Sequence, residues 1–250
     1  MNQGQSTDFR AWEYAHAGDY HRNLDPNWSY TPTYLRKMAF VRAFVTSLPR
    51  STKFIDIACG EGVLVEDFRK EGWNIEGLDL NYESEYVRQG DVRAMPYDDG
   101  SFDVVVFLDA FEHLAFVDQP KALADVRRIL RPGGILVMSA PNLAHLNSRV
   151  RMLLKGGLDR TDIEINHVGE RPIWEYEELL KQAGFTLEQK IGVTLTVPYI
   201  YRSLICKHAA KLRWLHDALE PVAKAFPSLA MVTIFVCTNG SAPPSSDGRS

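Results

Sequence analysis

Phe54-Ile55-Asp56-Ile57-Ala58-Cys59-Gly60-Glu61-Gly62 is the stretch that decides how this chain folds. Its first four residues are apolar apart from Asp56 and have the texture of a short buried strand. Gly60 and Gly62 break that strand. Val63, Leu64, Val65 and Phe68 then recur at helical spacing, with Glu66, Asp67, Arg69 and Lys70 as the polar side. Strand, glycine turn and helix N-terminus form a place where a ligand can lie against bare backbone. A second acid, Asp79, closes the next apolar run at the position where doubly wound folds hold ribose hydroxyls.

Working outward, the same alternation repeats. Pro32 fits the first turn of a helix over residues 32–47, with Tyr34, Leu35, Met38, Phe40, Val41, Phe44 and Val45 as its apolar side. Residues 102–108 are nearly continuous apolar sequence, as parallel strands are. A helix over 120–130 is stopped by Arg131-Pro132-Gly133-Gly134, and 135–140 is the next strand. The pattern predicts an α/β fold with a doubly wound, mostly parallel seven-stranded sheet. Its last strand is read at 229–237. Residues 1–50 are expected to form an N-terminal helical lid and 51–238 the main domain. Helical insertions fall at 142–171 and 194–228, and the Ser-, Pro- and Gly-rich tail 239–250 is expected to be disordered.

Composition narrows the class. Lys and Arg total 28 against 32 Asp and Glu, so the net charge of −4 predicts no general affinity for nucleic acid. The three cysteines, Cys59, Cys206 and Cys237, are far apart and odd in number, which suits reduced thiols in a cytoplasmic protein better than a disulfide framework. They form no CxxC pair, so no metal site is expected. The first residues are polar with no apolar signal core, and no run approaches the length of a membrane span.

The turn itself is selective. A hydride-transfer dinucleotide fold wants a third glycine where Val65 stands, and no G-K-[ST] follows for a nucleotide-phosphate loop. Asp56 at the strand end is wrong for cradling phosphates and suits an organic cation bearing an amine.

At these residues the chain resembles the class I S-adenosylmethionine-dependent methyltransferases, in a bacterial, small-molecule or glycan-associated subgroup. Asp56-Ile57-Ala58-Cys59-Gly60-Glu61-Gly62 is similar to their first motif, with Ala58 in place of the usual glycine. Gly90-Asp91-Val92, the segment from Met95 to Asp103, Phe111-Glu112-His113-Leu114, Leu130-Arg131-Pro132-Gly133-Gly134 and Ala140-Pro141-Asn142 follow in the family's order. The resemblance implies a Rossmann-like methyltransferase fold whose last strand is antiparallel, and S-adenosyl-L-methionine as cofactor. Gly60 and Gly62 would let backbone approach its methionine moiety and Asp56 would lie near the amino group, with Ala58 and Cys59 as further cofactor-binding positions of the turn. Asp79 would meet the ribose, Asp91 and Val92 the adenine, and Leu108 the region below the sulfonium, with Leu80 a further cofactor-binding position.

Methyl transfer from a sulfonium is an in-line displacement that needs alignment and exclusion of water. A hydroxyl acceptor also needs its proton removed, and histidine is the usual agent. His113, His145 and His167 are the candidate bases; the plain alternative for each is a packing or loop-ordering histidine. Tyr14, Tyr20 and His21 are candidates for a lid over the ligand, or for simple packing. Strand four ends Leu108-Asp109-Ala110-Phe111, which lacks the signature resembling amide or nucleobase N-methyltransferases. The expectation is metal-free O-methylation of a small-molecule, sugar or lipid-linked glycan hydroxyl. A quinone-like or secondary-metabolite phenol is the alternative acceptor, and a non-catalytic cofactor-binding protein the alternative class. Basic stretches at 149–155 and 207–213 are either solvated helix faces or a surface for anionic phospholipid. The oligomeric state is left open.

Overall fold

The computed structural model describes residues 24–158, 167–208 and 210–240. Its centre is a seven-stranded sheet in the order β3-β2-β1-β4-β5-β7-β6. The strands are β1 (Lys53–Ile57), β2 (Asn74–Asp79), β3 (Val87–Gln89), β4 (Phe102–Leu108), β5 (Leu130–Pro141), β6 (Phe185–Val193) and β7 (Val232–Asn239). All neighbours are parallel except β7, which runs antiparallel to both β5 and β6. The chain steps outward from β1 to β3, then returns to the other side of β1 as β4. The carboxyl ends of β1 and β4 therefore flank a topological switch point, where open α/β sheets bind ligands.

Both faces of the sheet are covered. Period-2 alternation sends Phe54 of β1 to one face and Ile55 and Ile57 to the other. On the first face Phe54 packs with Val104, Val106 and Val137, under helix α1 (Thr31–Thr46) and helix α2 (Val63–Lys70). On the second, Ile55, Ile57, Val105 and Phe107 pack with α3 (Gln119–Ile129) and α5 (Ile173–Gln182). Helix α4 (Leu146–Lys155) and helix α6 (Arg213–Ala225) belong to the two insertions. Leu146 and Leu219 from these helices pack on a small core of Leu195, Ala223 and Ala230.

Several expectations are corrected. The α1 face turned to the protein is not the aromatic one: Thr31, Pro32, Thr33, Lys37, Val41 and Val45 are buried, while Tyr34, Leu35, Met38, Phe40 and Phe44 are only partly covered. A lysine takes an inward position because an acid at the sheet edge receives it. Helix α3 ends at Ile129, and Arg131-Pro132-Gly133-Gly134 belongs to β5 as an irregularity rather than standing between helix and strand. Phe102 pairs with Leu130 and Val104 already with Ile135; Gly133, at φ 74°, accommodates the extra residues. The last strand starts at Val232 because Pro227–Leu229 forms a short 3-10 turn. Residues 1–23, and with them Tyr14, Tyr20 and His21, lie outside the described residues, as do 241–250 of the tail. In the described part of the N-terminal region, α1 contributes Val41 and Val45 to the core.

Candidate active site

The glycine turn leaves β1 and enters α2 through three left-handed residues: Ala58 at φ 53°, Gly60 at φ 57° and Gly62 at φ 70°. Gly62 cannot carry a side chain, since a Cβ there would lie 2.6 Å from Val87 Cγ2. Val65, which stands where a dinucleotide fingerprint has glycine, is accommodated from the opposite side. Gly77 of β2 has no side chain, and a Cβ there would meet Cys59 Sγ at 2.8 Å and Val65 Cγ2 at 3.0 Å. The close packing of helix on sheet is thus supplied by a strand glycine. Gly77 was not singled out from sequence, because its necessity depends on what faces it.

Two acids converge on this turn. Asp79 accepts hydrogen bonds from Gly60 N at 2.9 Å through Oδ2 and from Asn81 N at 2.9 Å through Oδ1. Burial raises its pKa despite those bonds. Asp56 is 6% exposed, and burial, with Asp79 as a secondary cause, pushes its pKa up to about 8. At neutral pH the Asp56 carboxyl therefore holds a proton, and a cation placed beside it would favour the ionised form. The Cys59 thiol is pushed up as well by burial, then by Asp56 and Asp79, so it is not a nucleophile.

The other expected cofactor positions fall along the same carboxyl edge. Leu80 is 40% exposed immediately after β2, and Val92 is buried. Asp91 holds the Arg93 guanidinium in a fork, Nε to Oδ1 at 2.9 Å and Nη2 to Oδ2 at 2.5 Å, which lowers its pKa. Arg93 also reaches Asp118, tying the loop after β3 to the start of α3. Leu108 ends β4, beside β1 in the register that pairs Asp56 with Val106.

Past Leu108 lies a cluster that sequence reading did not assemble. Asp109, at φ 48°, accepts from Tyr30 Oη at 2.8 Å and from Ser139 Oγ at 2.6 Å, and it is ion-paired with Lys37 Nζ. Lys37 Nζ also donates to Tyr30 Oη at 2.9 Å. These four residues come from the start of α1, β5 and the β4 edge. Only the three-dimensional fold brings them together.

The candidate histidines separate into two groups. His145 is 3% exposed and caps α4: its Nδ1 accepts from Ser148 N at 3.4 Å and lies 2.9 Å from Thr196 Oγ1. That places it in the scaffold of the insertion. His113 and His167, far apart in sequence, meet edge to face with ring centroids 4.8 Å apart. His113 ends a 3-10 turn, Phe111–His113, directly after β4. His113 therefore lies past the carboxyl end of β4, and the glycine turn past the carboxyl end of the neighbouring strand β1.

Comparison with known proteins agrees with this geometry. Residues 28–190 match a family model described as a methyltransferase domain. A Mycolicibacterium smegmatis protein named "Probable S-adenosylmethionine-dependent methyltransferase" is 32% identical over 149 residues, 56% of this chain and 54% of the relative. The ubiquinone biosynthesis O-methyltransferase of Thiobacillus denitrificans is 30% identical over 140 residues, covering 49% and 59%. The 2-methyl-6-phytyl-1,4-hydroquinone methyltransferase of a Synechocystis species is 28% identical over 191 residues, covering 65% and 57%. The chain thus spans only a little over half the length of these curated relatives. Among solved structures, a SAM-dependent methyltransferase of Thermotoga maritima superposes with a TM-score of 0.60 at 20% identity, over 92% of this chain and 99% of that one. At that identity the likeness speaks for the fold.

Proposed function

Because this chain belongs to the methyltransferase-domain family, we propose that it transfers the methyl group of S-adenosyl-L-methionine to a hydroxyl oxygen of a small-molecule acceptor. The observation that carries this reading is the pairing of two features at one sheet edge. Asp56 and Asp79 frame the glycine turn after β1, and the His113–His167 pair stands after the neighbouring strand β4.

The geometry supports a division of labour. Gly60 and Gly62 let backbone approach the methionine moiety, and ionised Asp56 would complement its ammonium. Asp79 keeps unused acceptor capacity for the ribose hydroxyls, because a carboxylate offers about four lone-pair sites. Leu80 offers an exposed apolar surface at the adenosine end. The chemistry then asks for orientation, exclusion of water and removal of one proton from the acceptor. The imidazole pair is the proton-handling group at that edge.

For the acceptor, sugar or glycan hydroxyls and quinol-type phenols are the two classes in play. The relatives named for ubiquinone and hydroquinone methylation favour the phenol. The test is calorimetry with S-adenosylmethionine, followed by mass spectrometry of a panel of phenols and sugars incubated with it. A gain of one methyl on a phenol, with S-adenosylhomocysteine formed, supports the reading. Absence of cofactor binding would remove it.

A peripheral membrane contact belongs to the same proposal. Helix α4 buries only Ser148 and exposes Met152, Leu153 and Leu154, with Leu153 85% exposed, among Arg149, Arg151 and Lys155. Trp214 is 63% exposed beside Lys211 and Arg213 on the second insertion. Apolar side chains among cations suit an anionic bilayer surface. No helix among the described residues is long and apolar enough to cross a membrane. Flotation with anionic liposomes tests the contact: capture that weakens with salt supports it, and no capture removes it.

A further inference from the structure

Glu112, His113 and His167 offer one ligand atom each, and these three atoms all lie within 4.8 Å of one another. We propose that this trio binds a divalent first-row transition cation and that the cation takes an oxygen of the acceptor as a further ligand. The inference rests on the methyl-transfer reading for its consequence, but the cation site stands on its own geometry; with the cation bound, both imidazoles are its ligands, and the acceptor's proton goes to solvent rather than to them. It revises the expectation of metal-free transfer.

Ligand type argues for the class of ion. Two imidazoles and one carboxylate suit zinc, manganese or cobalt, whereas magnesium prefers oxygen donors and retains its waters. Bonds of about 2.0–2.2 Å place ligand atoms roughly 3–4 Å apart across a common metal. The observed grouping needs only small side-chain adjustments to reach that. Three protein ligands on one side leave positions open for solvent or acceptor, as catalytic metal sites require.

The fold builds this juxtaposition deliberately from distant sequence. Glu112 is 2% exposed, and its backbone oxygen accepts from Gly169 N at 2.8 Å. Gln119, itself fully buried, donates from Nε2 to Gly169 O at 2.8 Å and to Phe111 O at 3.2 Å. Its Oε1 accepts from Arg171 Nε at 2.6 Å. One glutamine therefore stitches the 167–171 loop to the turn that carries Glu112 and His113. Gly169 permits the approach: a Cβ there would stand 2.0 Å from Leu114 O and 2.3 Å from Gln119 Nε2. Glu170, 1% exposed, adds a second buried acid to the same loop.

The chemical consequence concerns the acceptor. A hydroxyl bound to the cation is acidified, and its proton leaves to solvent. The oxygen lone pair then forms the C–O bond while the methyl–sulfur bond breaks and its electrons stay on sulfur. The products are a methyl ether and S-adenosylhomocysteine, with one proton released. Open coordination positions on one side favour an acceptor with two neighbouring oxygens, as in a catechol.

The test titrates chelator-stripped full-length protein with Zn2+, Co2+ and Mg2+ by calorimetry. Co2+ binding is followed in parallel by visible absorption and by the shifted imidazole proton resonances. Expected is one Zn2+ or Co2+ per chain, binding at least 100-fold tighter than Mg2+, with two imidazoles shifted in wild-type protein. His113→Gln and His167→Gln should each weaken Zn2+ binding at least tenfold. Gly169→Ala, which keeps all three ligands but displaces the loop, should weaken it too. No binding, or Co2+ binding without shifted imidazoles in the wild type, overturns the site. S-adenosylmethionine binding is measured on the same sample: its retention with no metal bound removes the cation alone, whereas its absence removes the methyl-transfer reading beneath it.

Discussion

Lys37, 1% exposed on α1, is ion-paired with Asp109, which stands in the left-handed region just past the end of β4. The pair joins the helix layer on one face of the sheet to the edge where the site lies. Removing one partner of a buried pair strands the other charge. Lys37→Met is therefore expected to destabilise the protein by about 3 kcal/mol, the lower end of the range for buried pairs, because Asp109 is 23% exposed. Lys37→Met combined with Asp109→Asn should recover part of that loss. Urea denaturation of both single variants and the double variant decides it: a double loss equal to the sum of the two single losses would mean the ion pair contributes nothing.

Ala58 occupies φ 53°, where a Cβ is unfavourable by roughly 1–2 kcal/mol. Glycine removes that strain and loses roughly 0.5–1 kcal/mol to backbone entropy. Ala58→Gly should thus raise stability by about 0.5–1 kcal/mol, whereas Ala58→Val should lower it. Thermal melts of the two variants would show the opposite signs, and a destabilised Ala58→Gly would contradict the strain argument.

Burial, and secondarily Asp79, pushes the Asp56 carboxyl up to about 8 in the folded protein, far above its ordinary range. In the unfolded chain it ionises near its ordinary value. Below about pH 4 both states are protonated and the burial has no titration penalty. As pH rises towards 8 the unfolded state gains its charge first, so stability falls; above about 8 the full penalty is present. Asp56→Asn should flatten this slope and raise the melting temperature at pH 8 in the absence of cofactor. If a cofactor ammonium draws out the ionised form, S-adenosylmethionine binding near pH 7 should release a proton. Calorimetry in buffers of different ionisation enthalpy measures that release, and buffer-independent heats would contradict it.

Asp79 accepts from the Gly60 and Asn81 amides and is the candidate partner of the ribose. Asp79→Ala should weaken S-adenosylmethionine binding by at least about 1–3 kcal/mol, through lost acceptors for the hydroxyls and a loosened turn. Asp79→Asn retains one acceptor oxygen and should lose less. Unchanged affinity in the alanine variant would sink the ribose role.

Much of this was legible in the one-dimensional pattern because its causes are local. The apolar runs at Phe54–Ile57 and Phe102–Leu108 owe their conformations to neighbours in sequence, and the glycines at 60 and 62 mark the break after the first run by their own backbone freedom. The spacing to Asp79 and Asp91 is legible along the chain as well. Alternating strands and helices then leave few topologies, since parallel strands need crossovers of one hand. The chain's own order of residues therefore determined the parallel sheet and the glycine turn with its acids, whereas the antiparallel direction of β7 is a matter of tertiary pairing.

The tertiary structure decided what depends on partners far along the chain. No periodicity marks Lys37 as buried; it is inward-facing because Asp109 and Tyr30 receive its charge there. Gly77 is indispensable only because Cys59 and Val65 press against it. His145, His113 and His167 look equivalent as letters, yet one caps α4 and the other two meet beside Glu112. That meeting depends on Gln119 and Gly169 closing a loop onto the end of β4. Hydrogen bonds and contacts across such separations leave no trace in local propensity, because either partner alone is compatible with many environments.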